Sequence, residues 1–487
     1  MRSIKLTTCV PLALAYLALT QGLHARERPL MVYGWPIAET DPDKILLNQD
    51  AIMGTYVCPS LTRLNLGAGK SELVLLQKLM QSDKQWTFEL KPGLKWWDGK
   101  ALETRDLNEY LDRELPNLVK KIGSEQWALP GHHIETNSKG AIIVWDKPPV
   151  FGPYIFNRLP FYRRGAQGLD CVGSLHPQKS DEGLSLTGTM GGKERGLVLN
   201  KPTPNTAITP KDAYVSFRFG EEMHPPTWER QIEEELSCSN SIDVPVMTMI
   251  AWNPDGHYTK DEQFRKAMTY IMPRGALLRA GAGSLGDLIS APILRLHPGY
   301  KKSLLVMPYD LKKADAILNQ LGLMRSEKDG YRRTAQGQFV EITISADKSH
   351  DSSLLRKVLD DSFRALGMKL SLLSNDAKAD GVLAGIQGSW PENDLSSILH
   401  SKRSGSFWPW SYNYPEIDEA MGRYNMSLTQ EKPNFGLLEA IHELVYKREP
   451  FSVLVQHKSC MQYGKGMTPP KVISVRNPDW VRAVFER

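Results

Sequence analysis

The clearest alternation of apolar and polar positions runs from Trp86 to Leu90. Trp86, Phe88 and Leu90 fall on one side, and Thr87 and Glu89 on the other. A period of two is that of a half-buried strand. Pro92-Gly93 then marks a turn, Leu94 to Trp97 resumes extended chain, and Asp98-Gly99 closes a tight hairpin. Thr104 is read as the cap of a helix opening with Arg105-Asp106-Leu107. Helical spacing returns at Phe264, Ala267, Met268 and Ile271, behind a capping box read at Thr259 and Glu262. Asp310 caps a helix whose apolar face is Leu311, Ala314, Leu318 and Leu321, with Gly322 as its stop. Val340, Ile342 and Ile344 alternate as a strand. Leu355, Leu359, Phe363 and Leu366 form a helix ended by Gly367, and Met368, Leu370 and Leu372 a further strand. Helix, glycine, strand is the unit of an α/β layer. Only Ser374 to Lys378 separate that strand from the next, at Asp380 to Leu383.

Shorter strands are expected after Pro29, at Ala213 to Phe219, at Met247 to Asn253 and at Phe451 to Gln456, with a last helix over about Gly436 to Tyr446. Residues 110 to 190 are poorly periodic, and there only Ala141 to Trp145 reads as a strand.

The Trp86–Leu107 stretch resembles the signature of the extracytoplasmic solute-binding proteins that serve peptide and nickel ABC importers, family 5. Thr87, Phe88, Leu90, Lys91, Gly93, Leu94, Lys95, Trp96, Asp98, Gly99 and Asp106 stand at matching places. Thr40-Asp41-Pro42, Tyr56 to Leu64, Ser185 to Asn200, Phe264 to Arg274, Tyr309 to Gly322 and Tyr412 to Asp418 are similar to further family segments. The resemblance covers nearly the whole mature chain, most weakly through 110–250. It implies a two-lobed α/β periplasmic binding protein, type II and of the large peptide-binding class, with an extra subdomain in lobe one. The expected division is 1–25 as signal peptide, 26–255 as lobe one with the insert at about 65–185, 256–461 as lobe two, and 462–487 as a return to lobe one.

Composition fits this class without choosing a ligand. The 487 residues correspond to about three domain-sized units, with 41% hydrophobic and 24% charged residues. The net charge of +5 falls to +3 without residues 1–25, because Arg2 and Lys5 leave and no acid does. That value, evenly spread, argues against nucleic acid. Arg2 and Lys5, the apolar run Cys9 to Leu19 and a candidate cleavage site at Leu23-His24-Ala25 read as a secretory signal. The apolar run is shorter than the ~20 residues of a membrane span, and the expected product is periplasmic with no lipid anchor. Cys58, Cys171, Cys238 and Cys460 remain, open either to two disulfides in three connectivities or to buried thiols.

No catalytic constellation is expected. Gly281 to Gly286 fits G-x-G-x-x-G but follows a helix, whereas dinucleotide binding requires a preceding strand. No G-x-S-x-G elbow occurs, and His132-His133 is read as a loop pair without metal spacing. No cofactor and no metal are expected. In the family, a G-W-x-x-D loop supplies an aromatic wall and an Asp for the ligand's α-ammonium. Here Ile386 replaces the Trp and Ser389 the Asp, while Trp390 follows, and Glu392 or Asp394 are candidate substitutes for the missing charge. The expected ligand-binding residues are Gly388, Ser389, Trp390, Trp408, Trp410 and Tyr412 in one lobe, facing Tyr33 and Trp35 in the other. The implied function is capture of an oligopeptide or related solute by a monomer that delivers it to an inner-membrane permease. A periplasmic chaperone or sensor partner on the same scaffold is the alternative.

Overall fold

The computed structural model describes residues 30–33, 52–122, 129–165, 168–180, 183–190, 193–200, 214–219, 240–282, 286–346, 353–374, 378–387, 392–402, 408–463 and 481. The described chain opens with β1 (Leu30–Tyr33). A π-helical turn at Met53–Val57 leads to the hairpin of β2 (Thr62–Asn65) and β3 (Lys70–Leu73). Strands β4 (Leu76–Gln81) and β5 (Gln85–Leu90), helix α1 (Thr104–Ile122), and strands β6 (His132–Asn137) and β7 (Gly140–Trp145) follow. They form a sheet in the order β4-β5-β7-β6 with α1 packed on it.

The alternation in β5 is the reason this module closes. Trp86, Phe88 and Leu90 are buried against Leu107, Tyr110, Leu111 and Leu115 of α1, with Phe88 edge-on to Phe156 at 5.5 Å. The helix start differs from expectation. Thr104 is its first residue, and Asp106 reaches back to accept the Glu103 N–H at 2.8 Å, the reciprocal half of a capping box. Asp106 also accepts the Trp96 indole N–H at 3.1 Å. His132 and His133 lie on β6, not in a loop, and His133 pairs with Glu135 at 3.1 Å.

A 3-10 turn at Pro153–Arg158 precedes β8 (Tyr162–Gly165), β9 (Gly168–Cys171), β10 (Leu175–Ser180), β11 (Gly183–Met190) and β12 (Lys193–Asn200). Arg163 on β8 pairs at 2.8 Å with both Asp98 and Asp170, and its guanidinium lies 4.3 Å from the Trp96 ring centre. Cys58 and Cys171 form a disulfide with a Cα–Cα distance of 5.1 Å, across 113 residues. Cys238 lies outside the described residues, and Cys460 sits on the last strand.

Strands β13 (Tyr214–Phe219) and β14 (Asn240–Trp252) lead into α2 (Glu262–Tyr270), α3 (Arg274–Ala282), β15 (Gly286–Asp287) and α4 (Leu311–Gln320). The small hairpin of β16 (Met324–Arg325) and β17 (Arg332–Arg333) precedes β18 (Glu341–Ala346), α5 (Ser353–Ala365), β19 (Lys369–Leu373) and β20 (Gly381–Gln387). Helices α6 (Ser396–Leu399), α7 (Pro415–Ser427) and α8 (Phe435–Arg448) precede β21 (Phe451–Tyr463). The cap of α2 is Asp261, which accepts from Gln263 and Phe264, while Thr259 instead donates to the Asn253 carbonyl at 2.7 Å. Asp310 caps α4 as expected, accepting from Lys313 N–H at 2.9 Å.

One large mixed sheet runs in the order β10-β11-β12-β1-β13-β21-β14-β20-β18-β19, with β15 on β21. In its second half, Met247, Met249, Ala384, Ile386, Phe451 and Val453 face a core completed by α7 and α8. Ile250, Trp252, Leu383 and Leu454 face the opposite core, with α2, α4 and α5. The short link between β19 and β20 has a geometric reason. Ser345 of β18 pairs with Leu373 where β19 ends and with Val382 where β20 begins. The chain therefore crosses β18 at one level and needs no return helix.

Candidate functional site

Strands β14 and β21 are the two segments that join the halves of the large sheet. Asn240 to Asp243 pair with Lys458 to Met461, and Met247 onward pair with Gln456 and earlier residues. Between these registers Val244-Pro245-Val246 stand opposite the single residue His457. Pro245 has no N–H to give a ladder, and a proline inside a central strand belongs at such a bulge.

Polar side chains collect around this break. Thr248 Oγ1 lies 2.7 Å from His457 Nε2. Asp287 on β15 pairs with Lys458 at 2.9 Å and with Arg295 at 3.4 Å. Gln456 is fully buried, and its side-chain oxygen accepts the Arg295 N–H at 2.9 Å while its amide nitrogen has no partner. β20 ends beside the break, with Gln387 paired to Val246. None of these residues drew attention in the sequence, where His457, Lys458 and Asp287 carry no spacing signal. Only Pro245 inside an apolar run marked the place.

The expected ligand residues fall into three groups. Tyr33 ends β1, between Asn200 of β12 and Ser216 of β13. Trp35, Gly388, Ser389 and Trp390 lie outside the described residues. Trp408, Trp410 and Tyr412 are in the core beneath β14 and β21, with 2%, 7% and 1% exposure. Tyr412 packs edge-on to Phe451 at 5.3 Å, and its hydroxyl lies 3.0 Å from the Trp252 carbonyl and 3.3 Å from the Trp410 indole nitrogen. These three side chains brace the sheet and offer no open ring face. Of the substitutes for the missing loop Asp, Asp394 pairs with Arg158 at 3.7 Å and accepts from Ser396 N–H and Asn425. Glu392 is buried.

One pair has the outward form of a catalytic dyad: Ser290 Oγ lies 2.9 Å from His442 Nε2. However, His442 Nδ1 accepts the Lys301 N–H at 2.9 Å, so the ring proton sits on Nε2 and points at the serine. Burial and the Lys301 charge hold this imidazole down at about 4. In this tautomer the ring cannot take the serine proton. A cavity of about 440 Å³ at the start of α3, lined by Met272, Pro273, Leu288, Val306 and Met307, is mainly apolar. Its one cation, Arg274, is engaged with the Val453 and Met307 carbonyls at 2.9 and 2.7 Å. Among the described residues, no group of three or more His, Cys, Asp or Glu is placed to hold a metal. Nor is any helix among them long and apolar enough to cross a membrane.

Residues 219–427 match the family model for bacterial extracellular solute-binding proteins, family 5 middle. NikZ from Campylobacter jejuni in complex with Ni(L-His) is 16% identical, with 92% of this chain and 96% of that chain covered and a TM-score of 0.65. NikA from Brucella suis in complex with Fe(III)-EDTA is 16% identical, covering 90% and 96% at a TM-score of 0.68. The oligopeptide-binding protein AppA from Bacillus subtilis, in complex with a nonapeptide, is 14% identical, covering 94% and 98% at 0.62. A comparison with curated proteins returns no significant match. The fold is that of the two-lobed periplasmic binding proteins of this class.

Proposed function

We propose that this chain, whose residues 219–427 match the family 5 extracellular solute-binding protein model, is the capturing subunit of an ABC importer, taking an oligopeptide or related small solute between its lobes. The observation that carries this reading is the junction of β14 and β21, two antiparallel strands interrupted together at Val244–Val246 and His457. Two strands bending at one level act as a hinge, and hinge closure around a ligand is how such a scaffold works. On this reading the lobe limits lie at the break itself, about ten residues before the expected limit at 255/256 and about four before that at 461/462.

In this reading the ligand meets Tyr33 and Trp35 from lobe one, and Gly388, Ser389 and Trp390, the residues next in sequence after β20. Trp408, Trp410 and Tyr412, buried beneath β14 and β21, act only through the sheet they brace. Ser389 carries no charge, so a peptide's α-ammonium would be paired elsewhere; Asp287 at the break would take part only by exchanging Lys458 or Arg295 for the ligand. The protein acts as a monomer in the periplasm and hands its ligand to an inner-membrane permease.

Native mass spectrometry of the gently purified mature protein tests the reading. A co-purified peptide, chelate or other solute mass is the expected result, together with contraction in solution scattering when that ligand is added back. No retained mass, and no thermal stabilisation by any peptide, sugar or chelate at roughly 100 times a working Kd, where ~2.7 kcal/mol is expected, would favour the chaperone or sensor alternative.

A further inference from the structure

Apart from β14 and β21, the two halves of the molecule meet at a second place. The module built on Trp86 is held to the first half of the large sheet. There the Gly173 N–H donates to the Val57 carbonyl at 3.0 Å, the Trp97 indole N–H donates to the Gly173 carbonyl at 2.9 Å, and the Trp97 ring lies 4.9 Å from that of His176 on β10. The same module also grips the turn that follows α7. Leu61 belongs to the module's own core. Leu64, three residues on in β2, is instead buried in the core of β14, β20, β21, α7 and α8, with Leu66 packed against it.

Hydrogen bonds extend this contact. Ser71 N–H donates to the Glu431 carbonyl at 2.8 Å, Gly152 N–H to Thr429 Oγ1 at 2.7 Å, and Tyr154 N–H to the Thr429 carbonyl at 3.3 Å. Arg158, closing the 3-10 turn, reaches Asp394 at 3.7 Å. Each surface is stiffened within itself. Glu72 accepts from Arg63 at 3.1 Å and from Asn65 at 2.7 Å inside the hairpin, and Thr62 ties the hairpin to the 3-10 turn through the Tyr154 carbonyl at 3.3 Å. On the receiving side, Thr429 is buried and its hydroxyl donates to the Met426 carbonyl at 2.7 Å. The fit is tightest at Gly152. Its φ of −104° and ψ of 171° are extended backbone that any residue adopts, but a Cβ there would lie 2.4 Å from the Thr429 carbonyl oxygen. The opposing surface, not the local chain, requires glycine.

A rotation at the strand break preserves hydrogen bonds of this length only along its own axis. Elsewhere they hold the angle or let go. We propose that the β2–β3 hairpin and the Pro153–Arg158 turn form a latch on the turn after α7, which holds the molecule closed and releases when it opens at β14 and β21. The inference rests on the two-lobed reading above. Three backbone donors, one buried leucine and one ion pair make a contact small enough to open reversibly without unfolding either side. The latch therefore sets how much of the population stands open before any solute arrives.

The test compares Gly152→Ala, Thr429→Val and Thr429→Ser with the parent, each as full mature protein without added solute. Amide hydrogen exchange follows the Ser71 and Tyr154 N–H groups, and solution scattering follows the radius of gyration. Gly152→Ala is expected to raise exchange at both amides roughly tenfold or more and to enlarge the radius, with the Trp86–Leu90 amides of β5 as protected as in the parent. Thr429→Val removes the hydroxyl from the receiving side and is expected to act in the same direction, more weakly. Thr429→Ser keeps the hydroxyl and is expected to match the parent. Faster exchange with an unchanged radius would make the contact one without hold on the lobes, and overturns the proposal. So does no change in Gly152→Ala and Thr429→Val, or a parent in which both amides already exchange freely. Absence of any co-purified solute counts against the capture reading alone, because these measurements use none.

Discussion

The Trp86–Leu107 segment and the β14–β21 junction use their side chains in contrasting ways. In the first, alternate apolar residues of one strand pack onto one helix, and Asp98, Asp106, Asp170 and Trp96 converge on Arg163 within the same module. In the second, polar residues meet from remote parts of the chain, Thr248 and His457 being 209 residues apart, and Asp287 arrives from a third segment. The first region is a fixed body, closed by apolar burial and a disulfide. The second is a seam of hydrogen bonds and ion pairs with a break in its ladder. Rigid modules carrying a less rigid, polar junction are what a closing scaffold needs.

That contrast is broken most forcefully at the disulfide. Replacing both Cys58 and Cys171 with Ala releases a loop of 113 residues. The chain-entropy account puts the loss at about 4–5 kcal/mol, read as a lower urea midpoint of the variant against the oxidised parent. A loss below about 1 kcal/mol would mean that packing alone holds these segments together.

A smaller effect, of opposite sign, is expected where α8 meets β21. Glu449 is buried in a left-handed conformation (φ +45°), accepts from Thr269 Oγ1 at 3.0 Å, and has its carboxyl pushed up to about 8 by burial. Its folded-state pKa lies above that of the unfolded chain. Stability is therefore fullest below about pH 4.5 and declines as pH rises toward 8. His442, held at about 4, works the other way, with stability present above pH 6.5 and lost as pH falls toward 4. The two slopes oppose each other between pH 4.5 and 6.5, and from 6.5 to 8 Glu449 is the one of the two that acts. Glu449→Gln is expected to raise the melting temperature at pH 8 by the equivalent of up to a few kcal/mol and to flatten the decline above pH 6.5. An unchanged profile would place the ionisation elsewhere.

Arg163→Met tests the clamp on the signature hairpin. The side chain is 25% exposed, so the expected cost is about 1–2 kcal/mol, seen by chemical unfolding with ligand binding unchanged. Smallest in stability is Asp287→Asn at the strand break, within about 1 kcal/mol because Lys458 and Arg295 remain partly solvated. Its larger effect is expected on ligand affinity and on any contraction measured by scattering when ligand is added. Loss of stability with unchanged affinity would make Asp287 part of the frame.

Legibility in the sequence followed the range of the interactions. The β5 alternation, the Asp310 cap, the Gly322 and Gly367 stops and the strand–helix–strand run through β18, α5 and β19 are written in neighbouring residues. All were readable. The poorly periodic stretch, 110 to 190, hid β6 and β8 to β11. β6, β8 and β9 carry no run of alternating buried residues, and Pro177 in β10 and Gly183 and Gly188 in β11 interrupt the apolar signal of the other two. Thr259 and Asp261 show the limit of local chemistry, since both can cap a helix and the choice went to Asp261 once Asn253 engaged the threonine.

The aromatic cluster at Trp408 to Tyr412 marks the same limit for function. Composition gives a Trp-rich loop the same weight whether it lines a cleft or fills a core. Only the faces of β14, β20 and β21 decided that these rings turn inward. The sequence by itself therefore determined the fold class, the secondary elements with strong periodicity and the family resemblance, because each depends on residues close together in the chain. The Cys58–Cys171 pairing, the break at Pro245 and His457 and the Arg158–Asp394 contact were decided by tertiary structure. They rest on contacts between segments a hundred or more residues apart, which no local pattern encodes.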